Sequence, residues 1–366
     1  MLLTSATLFS APPLSKRLNS EVEKIRKSAI LIDTHNDIPS FTVSGADIQN
    51  APKNHTDLPR LRQGGVGAVF FSVYVAATYV EGNRSANRAL QMIDTVQHDI
   101  IDRYPNDFQQ AFIAADIERA HRKGKIAALM GIEGGHAIED SPRLLRDYYR
   151  LGVRYMTLTH WNTNSWADSS GDINNDKVQH HNGLTPLGKD IVREMNRLGM
   201  IVDISHVADK TFYDALETSE APIMASHSSC RAVTNAPRNM TDDMIRALAK
   251  KRGVMQINFN CSFLSQKSAD APKDAPVRAT LDDVVAHIDH VRQVAGVDTI
   301  GIGTDFDGIT CTPAGLDDVS KFPNLTRALL QKRYSTNDIK KIYGGNTLRV
   351  MREVERVAKQ VSNTNR

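Results

Sequence analysis

The stretch Pro186–His206, PLGKDIVREMNRLGMIVDISH, combines two patterns that together decide the fold. Its first part, Pro186–Leu198, repeats apolar residues at the spacing of an amphipathic helix. Its second part, Met200–His206, is a short apolar run rich in β-branched residues, which is typical of a buried strand. A helix that leads directly into a buried strand is the repeating unit of a sheet whose strands run parallel.

The same kind of apolar run occurs eight times, and the runs are separated by helical patterns such as Arg84–Arg103, Thr241–Lys250 and Leu281–Val294. This alternation predicts an α/β fold, a (β/α)8 TIM barrel of the amidohydrolase-like kind. An open, doubly wound sheet is the competing fold, but the glycine-rich phosphate turn that usually follows its first strand is missing. The predicted strands are Ala29–His35, Gly67–Val75, Ile126–Glu133, Tyr155–His160, Met200–His206, Pro222–His227, Gly253–Phe259 and Thr299–Asp305.

Length and composition fit one such barrel. The chain has 366 residues, of which 41% are hydrophobic and 24% are charged, so it can build a large core and a solvated surface. We expect residues 1–28 to form an N-terminal extension and leading helix, with 1–14 as a candidate signal-peptide remnant. We expect residues 29–366 to form a single catalytic barrel. Export and a cytoplasmic location both stay open at this point.

Composition also argues against several partners and cofactors. The net charge is only +3 and the basic residues are scattered, so we expect no nucleic-acid binding. No stretch reaches the roughly 18 apolar residues that a transmembrane helix needs. Cys230, Cys261 and Cys311 are an odd number without C-x-x-C spacing, so we expect neither a disulfide framework nor a cysteine zinc site.

Residues that can bind metal or move protons lie where most of the predicted strands end. In a (β/α)8 barrel these ends meet at one rim, and that rim carries the active site. Six of the eight runs end in this way, which core packing alone does not explain. The residues are Asp33, His35 and Asp37; Glu133; His160; Asp203 and His206; His227; and Asp305 and Asp307.

Five of these residues have the chemistry and the placement for a two-metal site. His35 and Asp37 are two apart on an extended segment and therefore share a face. Imidazole nitrogens and carboxylate oxygens are ordinary zinc ligands. Glu133, which two glycines follow, can bridge two ions through its two oxygens, and His206 and His227 end neighbouring predicted strands.

Each of these residues also has a plain structural interpretation. A His-x-Asp pair can cap a turn, a rim glutamate can form a salt bridge, and buried histidines can be satisfied by core hydrogen bonds. As a set they favour metal, because Glu133 with His35 and Asp37 gives one ion three ligands, and Glu133 with His206 and His227 gives the other three. Three protein ligands leave the open position of a catalytic zinc, which lowers the pKa of bound water to about 7. We predict two Zn²⁺ ions per chain.

Further motifs accompany these ligands, and they extend from about residue 29 to about residue 355. As a set they resemble the renal (membrane) dipeptidase family, and most closely its bacterial-type members. The stretches that carry the resemblance include DTHNDIP (33–39), GIEG (131–134), YMTLTH (155–160), WAD (166–168), NGLT (182–185), DISH (203–206), SHSS (226–229), PRN (237–239) and GTDFDG (303–308).

The resemblance implies roles for residues that spacing alone does not assign. In that family the residues that match the five metal ligands hold two zinc ions, with the glutamate bridging. The residue matching His160 contacts the reacting carbonyl, the one matching Arg238 binds the terminal carboxylate of the substrate, and the one matching Asp305 handles the proton. The family also implies homodimers and tolerance for a D-residue at the C-terminal position of the substrate.

The hypothesis from sequence is therefore a zinc-dependent dipeptidase with a small-molecule dipeptide as substrate. A hydroxide that bridges the metals would attack the carbonyl carbon, Asp305 would pass its proton to the leaving amine, and His160 would stabilise the oxyanion. Arg238 could grip a free carboxylate bidentately one residue beyond the scissile bond, which favours dipeptides over proteins.

Alternatives remain for the function and for single residues. Another binuclear-metal amidohydrolase, such as a lactonase, deaminase or cyclic-amide hydrolase, would share the metal set but would not need Arg238. A barrel that binds without catalysis is a second class, and the complete ligand set argues against it.

Asp305 could be only a turn residue, and Arg238 only a surface salt-bridge partner. The polar loop Asp168–Asp176 either closes over the site or lies on the surface.

Two features depart from the family pattern. The mammalian members carry disulfides at positions that the three cysteines do not match, so we carry over no bridge from them. Asn260 stands where the mammalian members have a tyrosine near the active site, which leaves side-chain selectivity open. Stereochemical preference, β-lactam hydrolysis and oligomeric state also stay open.

Overall fold

Parallel strands form the centre of the molecule, which we describe from a computed structural model that covers residues 14–364. The candidate signal-peptide remnant, apart from its last residue, lies outside the described residues. Within them, the strands are β1 (Leu31–Asn36), β2 (Val66–Tyr74), β3 (Phe108–Gln110), β4 (Ile126–Glu133), β5 (Val153–Thr157), β6 (Ile201–Asp203), β7 (Met224–Ser228), β8 (Val254–Ile257) and β9 (Ile300–Ile302).

Eight of these strands close into a barrel. Their order is β2-β1-β9-β8-β7-β6-β5-β4, and β2 pairs again with β4 through seven residues, from Ala68 opposite Ala127 to Tyr74 opposite Glu133. All pairings are parallel, so the predicted (β/α)8 barrel and its eight strands are confirmed. The short strand β3 was not predicted, and it pairs only with the first residues of β4.

Helices surround this barrel in the part of the chain that the structure describes. They are α1 (Leu14–Ser28), α2 (Pro39–Thr42), α3 (Leu58–Gly64), α4 (Ser85–Asp94), α5 (Ala114–Arg122), α6 (Pro142–Arg150), α7 (Pro186–Leu198), α8 (Asp209–Thr218), α9 (Asp242–Lys250), α10 (Cys261–Leu264), α11 (Gln266–Ala269), α12 (Leu281–Ala295), α13 (Phe322–Gln331), α14 (Thr336–Lys340) and α15 (Asn346–Thr364). Single 3-10 turns lie at Ala77–Tyr79, Gly135–Ile138, Val297–Thr299 and Val319–Lys321, and π-helical segments at Thr95–Asp102 and Lys341–Gly345.

Side-chain caps explain why the helix boundaries follow the sequence pattern so closely. The predicted helix at Pro186–Leu198 has those bounds in the structure, because the Thr185 hydroxyl accepts from the N–H of Gly188 at its start and Gly199 ends it in the left-handed conformation. Thr241 and Thr280 cap α9 and α12 in the same way. The pattern at 84–103 instead divides into α4 and a π-helical segment.

The core has two layers because inward- and outward-facing side chains alternate along each strand. On β2, Phe70 points into the barrel interior while Phe71 joins the outer layer beneath the helices. The interior layer continues from the first residues of β6, β7 and β8 onto the apolar face of α15. This last helix therefore covers the N-terminal end of the barrel and leaves the opposite rim open for a site.

Gly131 on β4 makes room for a large ring inside the barrel. A Cβ atom at this position would lie only 1.9 Å from Cζ of Tyr155 on β5. Tyr155 therefore fills the interior directly below Glu133, the next inward-facing residue of β4. The first glycine of the GIEG motif is therefore explained by the packing of the Tyr155 ring, which extends to the site.

A disulfide joins Cys261 and Cys311, so the expectation from the cysteine count is wrong for this pair. The two residues are 50 positions apart in sequence, but they follow the adjacent strands β8 and β9, and their loops meet at the rim. Cys230 is free and buried. None of the helices within residues 14–364 has the length and apolarity needed to cross a bilayer.

Candidate metal centre and active site

The C-terminal ends of β1, β4 and β7 and the residues after β6 bring the five predicted metal ligands together. All five side chains are buried. His35 Nε2 lies 3.3 Å from Asp37 Oδ2 and 3.4 Å from Glu133 Oε2. His206 Nε2 and His227 Nε2 lie 3.0 Å and 3.2 Å from the other oxygen of Glu133, Oε1. The two oxygens of Glu133 therefore face different groups of donors, as the bridging role requires.

A chain of hydrogen bonds fixes the tautomer of His35. The Tyr155 hydroxyl lies 3.0 Å from the Thr34 carbonyl oxygen, which can only accept, so the hydroxyl donates there. It must then accept from the Nδ1–H of His35, 2.7 Å away. Nε2 of His35 is left facing Asp37 and Glu133, and it has no hydrogen-bond partner among the described residues. Burial alone would lower the pKa of His35, but Tyr155 and the charges of Glu133 and Asp37 raise it well above its usual range, so this nitrogen holds a positive charge and a metal cation could take the place of the proton.

His227 is oriented in a similar way by different residues. Its Nδ1 lies 2.8 Å from the Ser226 hydroxyl, which in turn lies 2.6 Å from a carboxylate oxygen of Asp203. The serine donates to the carboxylate and accepts from the imidazole. Asp203, which the sequence marked only as a strand-end residue, is thus the anchor of the His227 ring.

These contacts fit a bound cation. Burial and the nearby charge of Arg238 lower the pKa of His206, and burial also lowers the pKa of His227, so both rings stay neutral. Burial alone would raise the pKa of Glu133, but His35 above all holds it well below its usual range. His227 Nε2 lies 3.0 Å from His206 Nε2, and the same two nitrogens converge on one oxygen of the ionised Glu133 carboxylate. A divalent cation at this point could bind all three atoms.

The loop that contains Asp168–Asp176 forms hydrogen bonds with the backbone of His160 and His206. The Ser169 hydroxyl donates to the His160 carbonyl, and the Ser170 N–H donates to the His206 carbonyl over 2.8 Å. Residues 168–170 are buried, whereas most of 171–177 is exposed, so only part of this loop lies on the surface. His206 has a positive φ of 68°, which a non-glycine residue rarely adopts. The serine contacts help to stabilise that conformation.

His160 lies at the edge of the same cluster. Its Nε2 is 3.9 Å from Glu133 Oε1, and the ring of Tyr74 packs edge-on against it with centroids 4.9 Å apart. Burial lowers the pKa of His160 and keeps the ring neutral, so it can donate one hydrogen bond. It therefore lies beside the predicted metal ligands.

Asp305 and Asp307 of the Asp-Phe-Asp-Gly motif face different surroundings. Asp307 accepts hydrogen bonds from the N–H of His55 and the side chain of Asn54, so it joins the loop after β9 to the chain that follows β1. Asp305 instead accepts from Asn258 over 2.9 Å, and its carboxylate shares the surface of Gly308 with Asp37. Burial, together with the negative charges of Asp37 and Glu133, raises the pKa of Asp305 to about 8.

Arg238 is a buried cation that has no carboxylate partner within residues 14–364. Its guanidinium donates to the Ser228 hydroxyl and the His227 carbonyl, over 2.8 Å and 2.7 Å, and its Nε has no partner among the described residues. Burial lowers its pKa to about 10, so the charge persists at neutral pH. Arg238 is therefore not the surface salt-bridge partner that the sequence left open. A carboxylate from a ligand would neutralise its charge.

Two adjoining cavities surround these residues. The first, of about 300 Å³, is lined by the acids of the centre and by His160 and His206, together with Phe41, Tyr74, Trp161, Asn260 and Phe263. The second, of about 350 Å³, is lined by Arg238 and shares Trp161 and Phe263 with the first. The sequence analysis missed these two aromatic residues, because an aromatic residue after a strand has no distinctive spacing.

Comparison with known proteins agrees with this geometry. The family described as membrane dipeptidase (Peptidase family M19) matches residues 19–365. The chain is similar to dipeptidase verJ of Clonostachys rogersoniana, with 41% identity over 361 residues that cover 94% of this chain and 89% of the relative.

Solved structures share the fold. The probable dipeptidase PvdM from Pseudomonas aeruginosa superposes with a TM-score of 0.82 at 23% identity, covering 94% of this chain and all of that chain (100%). A metallo peptidase from Rhodobacter sphaeroides, solved with a phosphinate mimic of the dipeptide L-Ala-D-Ala, gives a TM-score of 0.77 at 26% identity, with 89% of this chain and 100% of that chain covered.

Proposed function

Because the chain belongs to the membrane dipeptidase family, Peptidase family M19, we propose that it is a two-zinc metallopeptidase that hydrolyses the peptide bond of free dipeptides. The observation that carries the proposal is the set of donors around Glu133. Imidazole nitrogens and carboxylate oxygens converge there, and His35 Nε2 and Asp37 Oδ2 have no hydrogen-bond partner among the described residues. Such a set suits zinc.

His35, Asp37 and Glu133 would hold one ion, and Glu133, His206 and His227 the other. Zinc ions bound there would polarise the scissile carbonyl and make hydroxide available at neutral pH. Side chains of the protein would transfer the proton, stabilise the oxyanion and bind the substrate.

Asp305 is placed to move the proton. Burial raises its pKa to about 8, and bound cations would lower that value, so the group can take and give a proton near neutral pH. It would accept a proton from the attacking water and deliver it to the leaving amine nitrogen. A neutral His160 would donate its N–H to the oxygen of the tetrahedral intermediate.

Arg238 limits the length of the substrate. A dipeptide with its scissile bond at the centre has its free carboxylate one residue away, and the unpaired guanidinium is the only buried cation of the described residues found beside the centre. A longer peptide would place an uncharged amide there instead. The uncompensated charge of Arg238 therefore favours dipeptides over proteins.

The first experiment combines zinc analysis with a panel of L-Xaa-L-Xaa and L-Xaa-D-Xaa dipeptides before and after chelation. We expect two zinc ions per chain, cleavage that chelation abolishes and zinc restores, and cleavage of D-residues at the C-terminal position. The phosphinate mimic bound by the Rhodobacter sphaeroides enzyme motivates the last expectation. Two zinc ions without cleavage of any dipeptide would reject this substrate class, and absence of bound metal would reject the metal centre.

The Asp305→Asn variant tests the proton transfer. The amide keeps the size of the side chain but removes the basic oxygen, so we expect kcat to fall by about 10²–10⁴-fold while two zinc ions remain bound. Zinc content and kcat are measured on the same preparation. Loss of zinc from the variant would instead identify Asp305 as a metal ligand, since its carboxylate also lies beside His35 and Asp37.

The Arg238→Met variant separates a dipeptidase from other two-metal amidohydrolases. Loss of the charge should raise KM for dipeptides by about 10-fold or more, since a hydrogen bond to a charged group contributes roughly 1.5–3 kcal/mol. Arg146→Met is the matched control, because Arg146 is already paired with Glu194 at 3.0 Å and lies outside the cavities of the centre. Unchanged KM for Arg238→Met would favour a lactonase, deaminase or cyclic-amide hydrolase.

A further inference from the structure

Trp161 is an exposed aromatic residue at the rim of the centre. It directly follows His160, and 47% of its surface is exposed, whereas the other tryptophan, Trp166, is fully buried. The proposed chemistry does not use this side chain. A large, solvent-exposed apolar ring at the mouth of a substrate cavity is a candidate contact for the ligand that binds there.

Trp161 is nevertheless held in a defined position. Its ring meets that of His206 edge-on at 5.3 Å and lies 6.3 Å from the ring of Phe263. A Cβ atom on Gly171 would lie 2.5 Å from the Trp161 carbonyl oxygen and 2.7 Å from the indole ring, so the loop packs tightly against this residue. The exposed face is therefore preorganised and would not have to be ordered by the substrate.

Phe263 connects this ring to the carboxylate site. The guanidinium carbon of Arg238 lies 5.7 Å from the centre of the Phe263 ring, and the side chain of Asn239 donates to the Phe263 carbonyl over 2.9 Å. Trp161 and Phe263 both line the metal cavity and the adjoining cavity that contains Arg238. They form the wall that the two cavities share.

Resting on the proposed function, we propose that Trp161 and Phe263 form a binding site for the side chain of the C-terminal residue of the dipeptide, and that they select substrates with a large apolar or aromatic residue at that position. The residue whose carboxylate reaches Arg238 lies next to these rings. Its α-carbon is one bond from that carboxylate, so its side chain leaves the backbone beside the shared wall. Aromatic rings in such contact attract each other beyond the burial of their area.

The test compares kcat/KM of the zinc-loaded enzyme for L-Ala-L-Phe, L-Phe-L-Ala and L-Ala-L-Ala. We expect the wild type to prefer L-Ala-L-Phe over L-Ala-L-Ala, and Trp161→Ala to reduce that preference by about 3–10-fold. The L-Phe-L-Ala to L-Ala-L-Ala ratio should stay within about twofold, and Trp161→Phe should retain part of the preference. Phe112→Ala, at an exposed aromatic residue outside both cavities, is the matched control.

A second readout does not depend on turnover. L-Phenylalanine, the leaving product, should change the tryptophan fluorescence of the wild type but not that of Trp161→Phe, since Trp166 is fully buried. Hydrolysis of L-Ala-L-Ala with an unchanged preference in Trp161→Ala would overturn the inference and leave the dipeptidase intact. A loss confined to L-Phe-L-Ala would also overturn it, by placing the rings beside the N-terminal residue. Failure to cleave any of the three dipeptides would reject the proposed function itself.

Discussion

The hydroxyl of Tyr155 lies between His35 Nδ1 and the Thr34 carbonyl, and so it decides which nitrogen of His35 carries the proton. Ser226 and Asp203 do the same for His227. Partners of this kind fix the orientation of a metal-binding ring and raise its basicity. The affinity of the centre for metal therefore depends on residues that do not bind the metal.

Removal of this hydroxyl gives a direct prediction. Tyr155→Phe keeps the ring packed against Gly131 but leaves His35 Nδ1 without its acceptor, so we expect zinc affinity to fall by about 10–100-fold. Competition with a chelator measures the affinity. Tyr343→Phe is the matched control, because that buried hydroxyl bonds to Thr326, outside the metal centre. Equal zinc affinity in Tyr155→Phe and wild type would contradict the role assigned to Tyr155.

The candidate ligands could be recognised from sequence, but the residues that orient them could not, and the reason is physical. A histidine or acid at the end of an apolar run stands out, because its polarity conflicts with its surroundings. A tyrosine within a buried strand does not stand out in this way. Tyr155 contacts His35, which lies 120 residues away in the sequence. Only the closed barrel reveals that contact.

At the level of elements, the helix ends were predictable and the strand ends were less so. Helix ends depend on local caps such as Thr185 and Gly199, which a single sequence shows. The strands β6 and β9 end three residues before His206 and Asp305, because both residues adopt a positive φ that breaks the ladder. Such a conformation is maintained by long-range contacts, which local propensity does not encode.

The link between Cys261 and Cys311 is an element-scale feature with a testable effect on stability. It closes a 50-residue loop that contains α11, α12 and β9. We expect the double variant Cys261→Ser/Cys311→Ser to lose about 2–4 kcal/mol of unfolding free energy, mainly because the unfolded chain gains freedom. Urea unfolding measures this change.

Reductant supplies the control for that experiment. It should destabilise the wild type by a similar amount and should leave the double variant unchanged. Equal stability of the oxidised wild type and the double variant would show that the bond does not constrain the chain as proposed.

The stability of the whole molecule should depend on pH through histidines buried in neutral form. Burial lowers the pKa of His287 to about 4, while its ring nitrogens bond to the Cys230 N–H and the Leu264 carbonyl. The unfolded chain takes up a proton at this histidine below about pH 6.5, whereas the folded chain does so only near pH 4. The unfolding free energy should therefore fall as the pH falls from about 6.5 to 4, by about 1.4 kcal/mol per unit for this group, and level off below.

Urea unfolding of the protein at several pH values between 7 and 4 measures that slope. His287→Gln should be less stable than wild type at pH 7 but should have a shallower pH dependence. His98→Gln, at an exposed histidine, is the control and should keep the wild-type slope. A variant at His287 with the wild-type slope would exclude this residue as the source.

The closed order of strands has a consequence for how the protein is made. His35, Asp37 and Glu133 leave the ribosome first, His206 and His227 follow, and the ring is complete only when β9 pairs with β1. The helix that covers the bottom of the barrel, α15, follows all of the strands. A nascent chain therefore presents an incomplete set of donors to any metal ion it meets until the last strand of the barrel has been made.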